Sequence, residues 1–439
     1  MHQSLLIYTP KISSRHQYIF KVLFSEIYSI EYSLTENLEY YTQSNNFKIN
    51  YSNSIICEDE LFVKHSGLLN QKGINQIDLK IENINDTPCF FLTDDKNSYH
   101  FDLFAASFYL ITRYEEYLPH LKDKYNRYIH KESIAFKNGF LRKPIVNLWM
   151  KYFILELQSY FPKLKIHSPS FKYISTIDID NAYLFKGKSF VRSVAFLFRS
   201  IMNFDFDKIS MYFSVIFNRR KDPFDTYSFQ FNLQKKYNLD VRYFILIGDY
   251  GLNDKNISYT NKSFQMLIKR LSDFAKIGLH PSYGSTFNHD KIAIERKRLE
   301  DIQKREVKSS RQHFLQLSFP NTYRRLINIG ITNDYTMGYA SDLGFRAGIA
   351  TPYTFYNLDT EEILAIKVYP FAIVDDTLRY NMKLNACEVL DNIKDIIQSV
   401  KDVNGTLITI WHNDTFSEKG IWKGWKNIYE EMIKLIKNK

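Results

Sequence analysis

From about residue 172 onward the chain repeats one pattern: a short apolar, β-branched run followed by a helical stretch, again and again. Strands are expected at Lys172–Asp180, Asp240–Asp249, Ile277–Pro281, Ser309–Leu315, Ile331–Met337, Leu364–Asp375 and Gly405–Asn413. Helical stretches lie between them near 225–237, 262–277, 291–307, 321–329 and 385–403, with a closing helix around 425–437. Such alternation predicts βα units on a mostly parallel sheet, and seven or eight units can close into an irregular (β/α)7-8 barrel. The polar residues are not scattered. They fall at the C-terminal ends of the strands: Asp178 and Asp180, Asp249, His280, Arg311 and His313, Asp334, Asp375 and Asp376, and His412 with Asn413. In a βα barrel that rim is where active sites assemble, although turn-forming Asp and Asn favour strand ends as well.

Residues 1 to about 165 read as a smaller α/β accessory domain. It has a strand at Ser4–Tyr8, a helical stretch at 15–28, and amphipathic helices at about 102–117 and from Pro144 toward Tyr160. The string His167-Ser168-Pro169-Ser170 is a plausible linker into the barrel domain at 172–439, which carries a basic helical insertion at about 183–221. Hydrophobic residues make up 45% of the 439 and charged residues 24%, so general disorder is excluded. A net charge of +10 is spread along most of the chain, and no clustered stripe of the kind nucleic-acid binding requires is found. The main cluster is Lys186, Lys188, Arg192, Arg199, Lys208, Arg219, Arg220 and Lys221, interleaved with apolar residues. It is a candidate for anionic-lipid, peripheral-membrane or anionic-substrate contact, against the commoner reading of a solvated insertion. Cys57, Cys89 and Cys387 define no disulfide framework or thiolate metal pattern. With no secretory pattern in residues 1–15 and no apolar run of about 18 residues, a cytoplasmic location is expected.

Asp178 and Asp180 lie two apart on one strand and point to the same side, so a nearby cation is implied. His280 ends the third strand as a candidate ligand. Arg311 and His313 again share a side: Arg311 can pin a carboxylate, and His313 can complete a site of three protein ligands. The last strand delivers His412 across the mouth, as a general acid facing a general base requires. Asn413 and Trp411 beside it, and Arg346 in Gly344-Phe345-Arg346-Ala347-Gly348, are candidate substrate contacts. Core packing for the tryptophan and a buried Arg–Asp pair for Arg346 are the alternatives.

These residues resemble the polysaccharide deacetylase family, whose NodB homology domain defines carbohydrate esterase family 4, in a branch with an extra N-terminal domain. The similarity covers roughly 172–439. Thr176-Ile177-Asp178-Ile179-Asp180 resembles the first motif with one residue inserted between the carboxylates, which implies Asp178 as base and Asp180 as metal ligand. Arg311 and His412 are similar to the arginine and late-strand histidine of the later motifs. The second motif supplies two histidines four apart, and here only His280 is present, with Gly284 in the other position. The resemblance implies a hydrolase that removes an acyl group, such as acetyl, from an N-acylated sugar or glycoconjugate. Asp180, His280 and His313 would hold Zn²⁺ or a similar ion, while Asp178, His412 and Arg311 would serve catalysis. Two alternatives are an inactive carbohydrate-binding or scaffold protein on the same barrel and a metal-independent amide hydrolase.

Overall fold

The computed structural model describes residues 4–286 and 288–438. Near the N-terminus, β1 (Leu5–Tyr8), β2 (Tyr32–Thr35), β3 (Phe47–Asn50) and β4 (Glu60–Phe62) form a parallel sheet in the order β2-β1-β3-β4. Strands β5 (Glu82–Ile84) and β6 (Thr87–Cys89) make a separate antiparallel pair. The expected helix at 15–28 is present as Ser14–Phe20, which widens into a π-type stretch at Lys21–Ile27. The helices Leu103–Ile111 and Ile145–Tyr160 match the two amphipathic runs.

The remaining strands build one large sheet. They are β7 (Lys172–Ile179), β8 (Asp240–Leu246), β9 (Lys276–His280), β10 (Ser309–Ser310), β11 (Asn333–Asp334), β12 (Tyr353–Asn357), β13 (Glu362–Val368), β14 (Ile373–Val374) and β15 (Thr406–His412). Their order is β12-β13-β11-β10-β9-β8-β7-β15-β14, and every pairing is parallel except β12 with β13. The fold is therefore mixed α/β with a large, mostly parallel sheet. Among the described residues its ladder does not run continuously around a barrel. The expected strand at 364–375 is broken at Tyr369–Ala372, where the chain leaves the ladder of β11 and β13. Along this break Phe371 N–H donates to Met337 C=O and Ala372 N–H to Ile408 C=O, so single main-chain bonds replace a ladder there.

β7 is rich in β-branched residues; β8 and β15 pair with its two edges, and the unbroken burial from Ile174 to Ile179 shows that both faces are covered, as expected of a central parallel strand. Several expected strands are shorter than the apolar runs suggested. The fourth pairs only over Ser309–Ser310, yet Arg311 N–H and His313 N–H still bond to Leu279 and Pro281 C=O, which preserves the two-residue alternation. Beyond it, Phe314 and Leu315 turn into the left-handed region. The edge strand β12 was not anticipated. Gly278 illustrates how closely the sheet packs: a Cβ there would sit 2.5 Å from the ring of Phe244, the ring that lies under Arg311.

The two sheets share one continuous apolar core. Polar locks add to it. Arg15 donates to Glu361 at 2.9 Å, and Arg346 meets Glu116 through Nε at 2.8 Å and Nη2 at 2.5 Å.

Candidate active site

Three imidazoles converge on one carboxylate. The Nε2 atoms of His280, His313 and His412 lie 3.2, 3.5 and 3.8 Å from the oxygens of Asp180. Each ring is held from behind by its other nitrogen. His280 Nδ1 faces Arg311 C=O at 2.5 Å, His313 Nδ1 faces Asp254 at 2.9 Å, and His412 Nδ1 faces Asp375 at 2.8 Å. A carbonyl or carboxylate only accepts, so each Nδ1 must carry the proton, and Nε2 is the nitrogen each ring presents to the centre. Asp180, His280 and His313 offer ligand atoms all within 4.8 Å of one another. Asp180 Oδ1 is buried and makes no hydrogen bond, although His280 Nε2 is 3.2 Å away.

Asp178 lies one pleat deeper. Its Oδ1 accepts from Arg311 Nη1 at 2.8 Å, and its Oδ2 is 3.8 Å from His280 Nε2. Arg311 is fully buried. It also donates to Thr176 Oγ1 at 2.7 Å and Tyr335 C=O at 3.0 Å, and its guanidinium packs 4.5 Å from the Phe244 ring centre. Asp375 is committed to His412. One oxygen accepts from Nδ1, and the other accepts from His412 N–H at 2.7 Å and from Thr415 Oγ1. Asp375, Asp376 and His412 form a second group with ligand spacing. Because both Asp375 oxygens are already engaged, this group reads better as a carboxylate–imidazole pair than as a metal site.

The electrostatics follow from this arrangement. Burial would raise the Asp180 carboxyl, but His313 and His280 facing it hold it well below the usual range. Burial would lower His313, but Asp180 and Asp254 push it up to about 9. His412 is likewise raised, against burial, by Asp375 and Asp376. Asp376 is raised as well, but by burial, which lifts it to about 7 although His412 opposes the shift. The rim therefore holds groups that donate protons and groups that accept them.

A cleft of about 530 Å³ opens over this cluster. Its walls include Gln312, Phe314, Ser341, Tyr380 and Asn381 from the large-sheet region, and Asp123, Lys124, Tyr125 and Arg127 from the N-terminal part. Arg127 Nη1 donates to Phe314 C=O at 2.9 Å, which fixes that second wall against the first.

Among the residues expected at the site, Asp178, Asp180, His280, Arg311, His313 and His412 lie together. Three expected substrate contacts lie elsewhere. Trp411 is fully buried against Phe416, Trp425 and Tyr429, because strand alternation turns it away from the side that carries His412. Asn413 is buried and donates to Asn181 and Phe224 C=O. Arg346 is spent on Glu116, the buried pair that was the alternative reading except that the carboxylate is a glutamate. Two further strand-end residues do not line the cleft: Asp249 pairs with Arg298 at 2.9 Å, and Asp334 is buried on Thr336 and Ser310. Asp254 was missed. It follows β8 in a loop with no periodic signal, and only a carboxylate a few residues beyond a strand end hinted at it.

A family model described as a family of unknown function (DUF7033) matches residues 5–162. No curated protein matches. Among solved structures, a protein from Mycobacterium smegmatis assigned as a polysaccharide deacetylase is 12% identical with a TM-score of 0.38, over 61% of this chain and 88% of that one. The polysaccharide deacetylase Bc1974 from Bacillus cereus is also 12% identical, with a TM-score of 0.26 over 60% of this chain and 88% of that one. A carbohydrate esterase family 4 pseudoenzyme from Bacillus anthracis is 9% identical, with a TM-score of 0.29 over 62% and 63% of the two chains. At these values the likeness is distant.

Proposed function

We propose that the chain is a divalent-metal-dependent hydrolase that releases an acyl group from the nitrogen of an N-acylated sugar or glycoconjugate. The observation that carries this reading is the convergence of three Nε2 atoms, each with its Nδ1 anchored, on Asp180. The residues fit a cation: Asp180 Oδ1 is buried and unbonded, and two imidazoles beside it present Nε2. Asp180, His280 and His313 would hold the ion, and this N/O donor set suits Zn²⁺. When bound, the ion supplies a Lewis acid for the amide carbonyl and makes water more acidic near neutral pH.

The other residues handle protons. Asp178, held by Arg311, accepts the proton that water gives up as its oxygen bonds to the acyl carbon. As the C–N bond breaks, His412 Nε2 donates to the departing amine, and Asp375 stabilises the imidazolium. The rings of Tyr125, Phe314 and Tyr380 beside Gln312, Ser341 and Asn381 suit the apolar faces and hydroxyl edges of a sugar. In this reading residues 1–165 act as an accessory domain that supplies one wall of the cleft.

The test is acyl release from a panel of N-acetylated sugars and oligosaccharides. Release that stops with a chelator and in Asp178→Asn is the expected result. If the protein binds metal but releases no acyl group from any member of the panel, it is a binding scaffold. Release that survives chelation supports a metal-independent hydrolase.

A further inference from the structure

Residues 190–217 form a helical hairpin, many of whose apolar residues face outward. Its helices, Phe190–Met202 and Phe206–Ile216, pack on each other through Phe196 and Tyr212, with Phe185 completing the aromatic cluster. Asp222 clamps the root by accepting from the N–H groups of Leu184, Phe185 and Lys186. On the first helix, Phe190, Val194, Phe198 and Ile201 follow helical spacing and are exposed. On the second, Phe206, Phe213 and Phe217 do the same, and Phe204 at the turn exposes 79% of its surface. The only fully buried residues of the two helices are Ser200 and Val215. A solvated insertion would turn such residues inward.

Charge identifies the surface this stripe fits. Between residues 186 and 221 the basic side chains are Lys186, Lys188, Arg192, Arg199, Lys208, Arg219, Arg220 and Lys221, and the acidic ones are Asp205 and Asp207. Arg199, Arg219, Arg220 and Lys221 are solvent-exposed. A phenylalanine-rich stripe bordered by cations is what an anionic bilayer surface accepts. Among the described residues no helix is long and apolar enough to cross a membrane, so the hairpin would lie in the interface. The loop after β8 extends the same region. Arg192 donates to Asn256 and Lys255 C=O there and packs on Tyr250, and Leu252 is 91% exposed.

We infer that this hairpin docks the protein on anionic lipid membranes. The inference does not depend on the hydrolase reading. β7 ends one residue before Asp180 and the hairpin begins soon after, so docking would bring the rim that bears the catalytic cluster to the membrane.

Co-sedimentation of the full chain with vesicles of phosphatidylcholine, with and without phosphatidylglycerol, tests it. Binding to the anionic vesicles that weakens with salt is expected. The variant Phe198→Ser/Phe204→Ser/Phe206→Ser should lose that binding by about tenfold or more, with its circular dichroism unchanged. Arg199→Glu/Arg219→Glu/Arg220→Glu should lose the preference for anionic lipid. Wild-type protein that stays in the supernatant at low salt overturns the inference. So does a wild-type dimer that the phenylalanine variant abolishes without any vesicle binding, which would make the stripe a contact between copies.

Discussion

At the residue scale, the proposed chemistry divides labour among four aspartates. Asp180 faces the imidazoles, Asp178 takes Arg311, and Asp254 and Asp375 hold rings from behind. Asp375→Asn should therefore lower kcat by about 10²–10⁴-fold, because a neutral amide cannot stabilise the imidazolium as the carboxylate does, while metal content stays unchanged. Asp254→Asn should act the other way, weakening metal affinity by about 10–100-fold in a metal titration. Much of this was legible. The two-residue period put Asp178 with Asp180 and Arg311 with His313 on common sides, and in the structure Asp178, Asp180 and His313 line the cleft while Arg311 is buried beneath them on Asp178. Asp254 was not legible, since loop geometry leaves no period in a sequence. Arg346 pointed the wrong way because its partner, Glu116, is 230 residues distant.

At the element scale, sheet position explains why short strands can hold long-range chemistry. β10 is two residues long, yet Arg311 and His313 remain bonded to Leu279 and Pro281 of the β9 segment, so their side chains keep a strand's alternation in a turn. Sequence overstated the length of such strands because the residues that follow Ser310 stay buried and keep a strand-like alternation after the ladder stops. The support beneath Arg311 depends on Gly278. Gly278→Ala would drive a methyl into the Phe244 ring and should cost about 1–3 kcal/mol in denaturant unfolding. Because that ring lies under Arg311, activity should fall as well.

At the scale of the whole molecule, the N-terminal part and the large sheet are joined by a buried charge network. Arg113 bonds to Glu116 at 2.7 Å and to Glu115 at 2.7 Å, and its Nη1 donates to Arg346 C=O. Burial alone would raise the Glu116 carboxyl, but Arg346 and Arg113 overcome this and bring it down to about 2, from an ordinary 4.5. Its stabilisation is complete above pH 4.5 and disappears as pH falls toward 2, since the unfolded chain then binds the proton more readily. Glu116→Gln should destabilise by about 3–5 kcal/mol at pH 7, and the gap from wild type should narrow in unfolding curves below pH 4.5. Sequence could not reveal this junction, because Arg346 and Glu116 are 230 residues apart and no local spacing links them. The same long-range assembly brings residues 180, 280 and 313 together, and metal stoichiometry of purified protein tests that most directly. The account predicts about one equivalent of divalent ion per chain in wild type, with occupancy lost in His280→Ala and His313→Ala and retained in Asp375→Asn. A wild-type protein that takes up no divalent ion, or a His280→Ala protein that keeps full occupancy, would contradict it.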